Sequence, residues 1–578
     1  MRLLLGSLLL GLGCSGASPP EADAAGRSDA PADAPADAAG RDGARAADAA
    51  GPDAGASPPV HFLEVGGLVG LGDEHRVPAF DCLVGPREEC ESNVMAGGAA
   101  VGDIDGDGTP ELLVTQLDGP PRLYRRGEDG RYEDVAAAWG LAEARATNGA
   151  AFADIDRDGD LDLVVTSLGV RGARYRLYMQ QGGRFVDEAL VRGVAFEGDE
   201  LYGGQSVAVG DYDGDGWPDL HLTEWLDVRV SAPHQRLLHN LGASAPGFFE
   251  DVTLSAGVAG DQARCLRGEA LCRTYGFASA FADLDGDLRP DLLVVADFGN
   301  TRLFWNEGGG RFSEGLRTAS LGGDENGMGS TVGDFDGDGD LDWFVTSVFD
   351  PSGVCARVGC QWGSSGNRLY RNRGDRTFED ATDLGVRDAG WGWGTAFFDF
   401  DNDGDLDLVA TNGMRLRDLP FEDAFNDDRM RLWENEGGAF RRRDDLGFTD
   451  RGSGKGLVVF DAEGDGDLDV YVVNNGGRGR FFRNQGGDAR PWLRVALEGT
   501  ATSPEGLGAR VRVRAGGREQ VRELASVTHF LGQSERVAHF GLGEAERVEE
   551  LVVQWPSGRV SILRDVAARQ LLQIREPE

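Results

Sequence analysis

Apolar residues along this chain come in short runs punctuated by glycine, a pattern of strands and turns more than of helices. The stretch "AFADIDRDGDLDLVVTS" (151–167) shows the unit: an apolar run, a cluster of aspartates with Gly159 among them, and a second apolar run. The acidic element occurs seven times, as "DIDGDGTPE" from Asp103, "DIDRDGDLD" from Asp154, "DYDGDGWPD" from Asp211, "DLDGDLRPD" from Asp283, "DFDGDGDLD" from Asp334, "DFDNDGDLD" from Asp399 and "DAEGDGDLD" from Asp461. The steps between these starts are 51, 57, 72, 51, 65 and 62 residues. A period this long and loose marks a repeat architecture.

Two further signals recur between the acidic elements. One is a strand-like run after an arginine: "RLYRR" at Arg122, "RLYMQ" at Arg176, "RLLHN" at Arg236, "RLFWN" at Arg302, "RLYRN" at Arg368, "RLWEN" at Arg431 and "RFFRN" at Arg480. The other starts at an aromatic after a Gly-rich turn, at Tyr132, Phe185, Phe249, Phe312, Phe378 and Phe440. Each repeat therefore reads strand, acidic loop, strand, connection, strand, Gly turn, strand, and four antiparallel strands per unit predict a propeller blade. The seventh repeat lacks its aromatic fourth strand, while "VHFLEV" (60–65) stands unpaired before the first. The expected fold is all-β: a seven-bladed β-propeller over 58–490, closed by that N-terminal strand, and a small β-rich domain over 491–578. Closure of the ring removes exposed sheet edges.

The chemistry lies in the acidic loops. Loop positions 1, 3, 5 and 9 are carboxylates: Asp103, Asp105, Asp107 and Glu111 in the first; Asp154, Asp156, Asp158 and Asp162 in the second; Asp211, Asp213, Asp215 and Asp219 in the third; Asp283, Asp285, Asp287 and Asp291 in the fourth. The fifth has Asp334, Asp336, Asp338 and Asp342; the sixth Asp399, Asp401, Asp403 and Asp407; the seventh Asp461, Glu463, Asp465 and Asp469. These are hard oxygen ligands, and a position 6 glycine permits the turn that gathers them, so up to seven Ca2+ ions are expected. Without a cation, carboxylates so close repel and some stay protonated. An EF-hand is excluded, because it needs flanking helices and a Glu at position 12, where the first two loops have Val114 and Val165. The fourth loop departs from the pattern with Leu288 at position 6, the seventh with Glu463 at position 3.

Composition narrows the partners. The formal net charge of −41 speaks against nucleic acid, whose binders are basic. The N-terminus "MRLLLGSLLLGLGCSG" predicts a secretory signal over 1–13, too short to span a bilayer. Small residues leading into Cys14 resemble a bacterial lipobox, which implies lipid attachment at Cys14 and a place in a bacterial envelope, at the outer membrane, cell surface or periplasm. Residues 14–57 repeat Ala, Asp, Pro and Gly and predict a flexible tether. Membrane contact is expected only through that anchor. The pairs Cys82/Cys90, Cys265/Cys272 and Cys355/Cys360 suggest three local disulfides among fifteen possible arrangements.

The acidic loop and its "RLYxN…F" companion resemble the FG-GAP/VCBS repeats of integrin α-chain-like propellers. The segments "GLGARVRVRAGGREQVREL" (506–524) and "HFGLGEAERVEELVVQWPSGRV" (539–560) resemble the ASPIC/UnbV domain, and the pairing resembles the cartilage acidic protein family. That resemblance implies calcium binding and no settled activity. The expected role is an exported adhesion or interaction scaffold for a protein or glycan partner. The long connections opposite the acidic loops carry the cysteine pairs and Trp225, Trp362, Trp391 and Trp393, candidate anchors for that partner; packing inside the blades is the competing reading for Trp391 and Trp393. The alternative is a calcium-dependent polysaccharide-active enzyme, a hydrolase or lyase. No GxSxG, HExxH or P-loop spacing is present, and no catalytic residue is assigned.

Overall fold

The computed structural model describes residues 60–578 except 79–92, 145, 169–173, 197–201, 231–234, 317–318, 320, 355–356, 358–361 and 415–424. Cys14, Cys82, Cys90, Cys355 and Cys360 lie outside the described residues, as do the signal and tether expected over 1–57. The Cys265–Cys272 disulfide is formed.

The described residues build seven antiparallel meanders, the repeated β-sheets of a propeller. Their first strands are Ala99–Gly102, Thr147–Ala153, Gly204–Gly210, Cys272–Ala282, Ser330–Gly333, Gly392–Phe398 and Gly454–Phe460. Each acidic loop joins a first strand to a second, beginning at Glu111, Asp162, Asp219, Asp291, Asp342, Asp407 and Asp469. The strands on either side of a loop are buried along nearly their whole length, which is why they read as continuous apolar runs. The fourth strands bury their leading aromatic and expose the residue that follows. In the seventh meander the fourth position is taken by His61–Glu64, antiparallel to Arg480–Gln485. Its Phe62 is buried among Phe398, Phe400 and Phe448. Consecutive first strands touch one another, and the seventh touches the first.

The C-terminal residues form two further sheets. Trp492–Glu498 lies between Ala538–Gly541 and Gln570–Arg575. Arg510–Ala515 lies between Arg518–Glu523 and Arg547–Gln554, and the latter pairs with Val560–Ala567. Trp555, Phe540 and Val511 are fully buried in the core between them.

A connection from this part, residues 526–535, runs among the first strands of all seven meanders. Val527 pairs with Ala280, and Gly532 pairs in parallel with Ala99. The Ser526 hydroxyl accepts from Val209 N–H, Gln533 Oε1 from Phe152 N–H and the Ser534 hydroxyl from Val459 N–H. The carbonyl of His529 accepts from Ser330 and Thr395. Phe530 is buried against Phe277 and Trp393. His529, Phe530 and Leu531 all take positive φ, so the chain turns sharply there. The 491–578 part is thus tied into the repeats rather than appended to them.

Candidate metal centre

The seven acidic loops share one geometry. The position 1 carboxylate accepts from the N–H of positions 5 and 6, at 2.9–3.1 Å in every loop. The position 9 carboxylate accepts from the N–H of position 2, at 3.1–3.3 Å. Such Asx-type bonds fold the loop so that its side chains converge. Position 6 takes positive φ even where it is Leu288, at 66°. Position 4 does too, with Arg157 at 58° and Asn402 at 57°. That second left-handed position escaped the sequence reading, although glycine fills it in the other five loops.

The convergence brings carboxylate oxygens of Asp103, Asp105 and Asp107 within 4.8 Å of one another, and likewise those of Asp154, Asp156 and Asp162, of Asp211, Asp213 and Asp215, and of Asp283, Asp285 and Asp291. Burial, with neighbouring carboxylates adding to it, pushes Asp162 up to about 8, Asp342 to about 9 and Asp399 to about 8. Glu111 is pushed up to about 8, mainly by burial, against a hydrogen bond from Ile104 N–H. Asp291, Asp407 and Asp469 are raised well above the ordinary range. Glu111 Oε1, Asp156 Oδ1 and Asp336 Oδ1 are buried oxygens with no hydrogen-bond donor. Buried carboxylate oxygens without a donor fit a divalent cation, which supplies the missing charge.

Cationic side chains distinguish the loops. The fourth residue of the third strand faces the acids: Arg125 lies 2.6 Å from Asp105, Arg371 2.7 Å from Asp336 and Arg483 2.5 Å from Glu463. In the third loop this residue is His239, 3.2 Å from Asp219 and raised to about 9, first by that hydrogen bond. In the second loop it is the buried Met179, and the nearest guanidinium, Arg192, stands 3.7 Å from Asp156.

The fifth residue of the third strand explains the "RLYxN" signal. Its backbone N–H donates to the other position 9 oxygen, at 2.7–2.8 Å from Gln180, Asn240, Asn306, Asn372, Asn435 and Asn484. Its side-chain amide donates to the position 2 carbonyl of the preceding loop, as Asn306 does to Tyr212 at 2.7 Å and Asn435 to Phe335 at 2.7 Å. Six such latches join consecutive repeats. Arg126 holds the corresponding place in the first repeat and stands 3.8 Å from Glu463 of the seventh.

The C-terminal part lies against this loop face, which the sequence did not reveal. Three glutamates, each paired with an arginine, accept the N–H of a position 1 aspartate. Glu505 with Arg536 meets Asp154, Glu523 with Arg510 meets Asp283, and Glu535 with Arg494 meets Asp461. Arg494 also reaches Asp461 at 2.9 Å. Arg518 bonds the Asp403 carbonyl and the Asp405 carboxylate, and Gly541 N–H donates to Asp399.

The four singled-out tryptophans gather elsewhere, in one apolar cluster with Met95, Met328 and Phe425. Trp225, Trp391 and Trp393 are buried and Trp362 half-buried. Their rings pack on neighbours: Trp362 on Trp391, Trp391 on Phe425, Trp225 on Phe277.

Residues 103–165, 283–345 and 355–410 match the FG-GAP-like repeat, and residues 499–578 match ASPIC and UnbV. The chain is 25% identical over 563 residues to cartilage acidic protein 1 of Mus musculus, spanning 90% of this chain and 79% of that protein. It is 30% identical over 179 residues to integrin alpha-7 of Mus musculus, which covers 28% of this chain and 14% of that protein. Among solved structures, the BP39L lectin from Burkholderia pseudomallei aligns with a TM-score of 0.39 at 10% identity, over 68% of this chain and 96% of that one. The chain thus carries FG-GAP-like repeats within 103–410 and an ASPIC and UnbV match over 499–578.

Proposed function

We propose that this chain is a calcium-loaded, seven-bladed propeller that serves as an interaction scaffold outside the cytoplasm. The observation that carries the reading is the sevenfold recurrence of a loop that gathers four carboxylates, with buried oxygens that lack a donor at Glu111, Asp156, Asp336 and Glu463. Ca2+ would be held by positions 1, 3, 5 and 9 of each loop and would supply the charge those groups need. The ring is read as closed by His61–Glu64 in the seventh blade, in keeping with the contact between the seventh and first inner strands. An exported setting accords with the names of the relatives, one a cartilage protein and one an integrin. Anchoring through a lipid on Cys14, in a bacterial envelope, belongs to the same proposal.

The partner, a protein or glycan, would meet the side opposite the acidic loops, since the C-terminal part occupies the loop side. Of the four tryptophans, Trp362, half-buried at the rim of the aromatic cluster, is the one with surface to offer. A glycan-cleaving role is not favoured by the geometry, because the loop carboxylates face one another and the protein's own N–H groups. Calcium titration of the purified chain, followed by calorimetry and melting, tests the reading. The expected result is close to seven ions and a large upward shift in melting temperature. No bound ions and no shift would overturn it.

A further inference from the structure

The seven acidic loops form an internal series in which the backbone geometry is constant and one cross-strand residue changes. That residue is the fourth of the third strand: Arg125, Met179, His239, Trp305, Arg371, Glu434 and Arg483 in turn. An imidazole stands there only in the third loop. The strand register puts His239 directly across from Asp219, because Leu238 faces Leu220 and Leu237 faces His221. Residues directly opposite on neighbouring strands share a face of the sheet. His239 Nδ1 accordingly lies 3.2 Å from Asp219 Oδ1 and 3.5 Å from Asp213 Oδ2.

The neighbours fix these groups in place. The Tyr212 ring meets the imidazole edge to face, with 6.0 Å between centroids. The N–H groups of Asn240 and Tyr212 donate to the two Asp219 oxygens at 2.8 and 3.1 Å. Such outer contacts orient a metal ligand. Asp213, Asp219 and His239 each offer one atom within 4.8 Å of the others, and Asp211 and Asp215 converge on the same Asp213. Ligands about 2.1 Å from an ion stand about 3–3.5 Å apart when adjacent in its shell, the spacing of Nδ1 from the two oxygens. Asp213 is exposed and His239 half-buried, so an ion can reach the group from solvent.

We infer that the third loop is a transition-metal site set among calcium sites: a divalent first-row ion held by His239 Nδ1, Asp213 and Asp219, with Asp211 and Asp215 on its remaining side. Calcium takes oxygen ligands, whereas imidazole suits zinc, iron or nickel. A nitrogen in the shell therefore gives calcium little and a transition ion much. The inference rests on the metal reading of the loops and changes the ion that one of them takes. The competing role for His239 is that of a counter-cation, which Arg125, Arg371 and Arg483 play in their own loops. His239→Arg keeps that role and removes the ligand, since a guanidinium has no lone pair to offer.

The test uses the purified full chain in about 5 mM calcium, above the weakest affinities of extracellular calcium modules. It is titrated with Co2+ by calorimetry and visible absorption, and bound calcium and cobalt are counted by equilibrium dialysis. One equivalent of Co2+ is expected to bind and to displace one Ca2+. Its affinity should be at least roughly tenfold weaker in His239→Arg and unchanged in His61→Gln, an exposed histidine of the N-terminal strand. Should His239→Arg fail to fold by circular dichroism, His239→Gln carries the same expectation. Co2+ binding unchanged in the folded variants, or no Co2+ binding by a wild type that holds calcium, would overturn the inference and leave the calcium reading standing. Binding of neither ion would overturn both. One His239-dependent Co2+ without bound calcium would uphold the inference alone.

Discussion

Replacing Asn306 by Leu removes one inter-repeat latch while nearly preserving side-chain volume. Asn306 is fully buried. Its amide nitrogen donates to Tyr212 O at 2.7 Å in the preceding repeat and to Pro290 O at 3.0 Å in its own, and its oxygen accepts from Gly308 N–H at 3.0 Å. The backbone bond from Asn306 N–H to Asp291, 2.8 Å, survives the change. Leucine thus strands two carbonyls in the interior and one N–H near the surface. Each buried orphan costs about 1–3 kcal/mol, so a loss of about 2–6 kcal/mol is expected. That is a large fraction of a typical net stability of about 5–15 kcal/mol. Denaturant titration followed by tryptophan fluorescence, in saturating calcium and again in chelator, measures it. The loss should be similar in both conditions, because the latch holds carbonyls and not the cation. A loss below about 1 kcal/mol would refute the claim that the asparagine joins repeats. A loss seen only in calcium would make Asn306 a support of the metal site instead.

Four further outcomes are expected. In chelator, melting temperature should fall as pH rises from about 5 to 8: Asp162, Asp219 and Asp399 are pushed up to about 8, so the folded state holds protons there that the unfolded chain has lost. Calcium should abolish that fall, and calorimetric affinity for it should rise with pH over the same range. Arg494→Met leaves Asp461 and Glu535 buried without their cation and should cost about 3–5 kcal/mol, with faster proteolytic release of the C-terminal part in gel assays. Phe530→Ala should cost about 3–5 kcal/mol by denaturation, since the ring is fully buried between Phe277 and Trp393. Replacing Cys265 and Cys272 by Ala should cost about 2.5 kcal/mol at most, because the loop they close is short, and should leave calcium stoichiometry unchanged.

What was legible in the sequence is what repeats locally. The acidic loop is built within nine residues, so its carboxylates, its left-handed position and its flanking strands are all written contiguously, and seven occurrences separate them from chance. The N-terminal strand could be assigned because a missing aromatic in the seventh repeat matches an unpaired one at Phe62. The latch asparagine was visible only as a letter in "RLYxN", since its acceptor lies in the previous repeat, between 76 and 100 residues away. A period tells which positions recur and not which repeat each side chain reaches. Arg126, in the place of that asparagine, shows why the exception carries information: it stands where the first repeat meets the seventh, and Glu463 there is the one glutamate at position 3. Arg126 and Glu463 thus meet across the junction between the first and seventh repeats. Residues 526–535 carry no period at all. Their contacts fall on seven strands spread over more than 350 positions of sequence, made by Ser, Val, Thr, His, Gly and Gln residues that look like an ordinary loop. Only first strands brought side by side give those residues something common to touch, so their role could not be read before the repeats had been arranged in space.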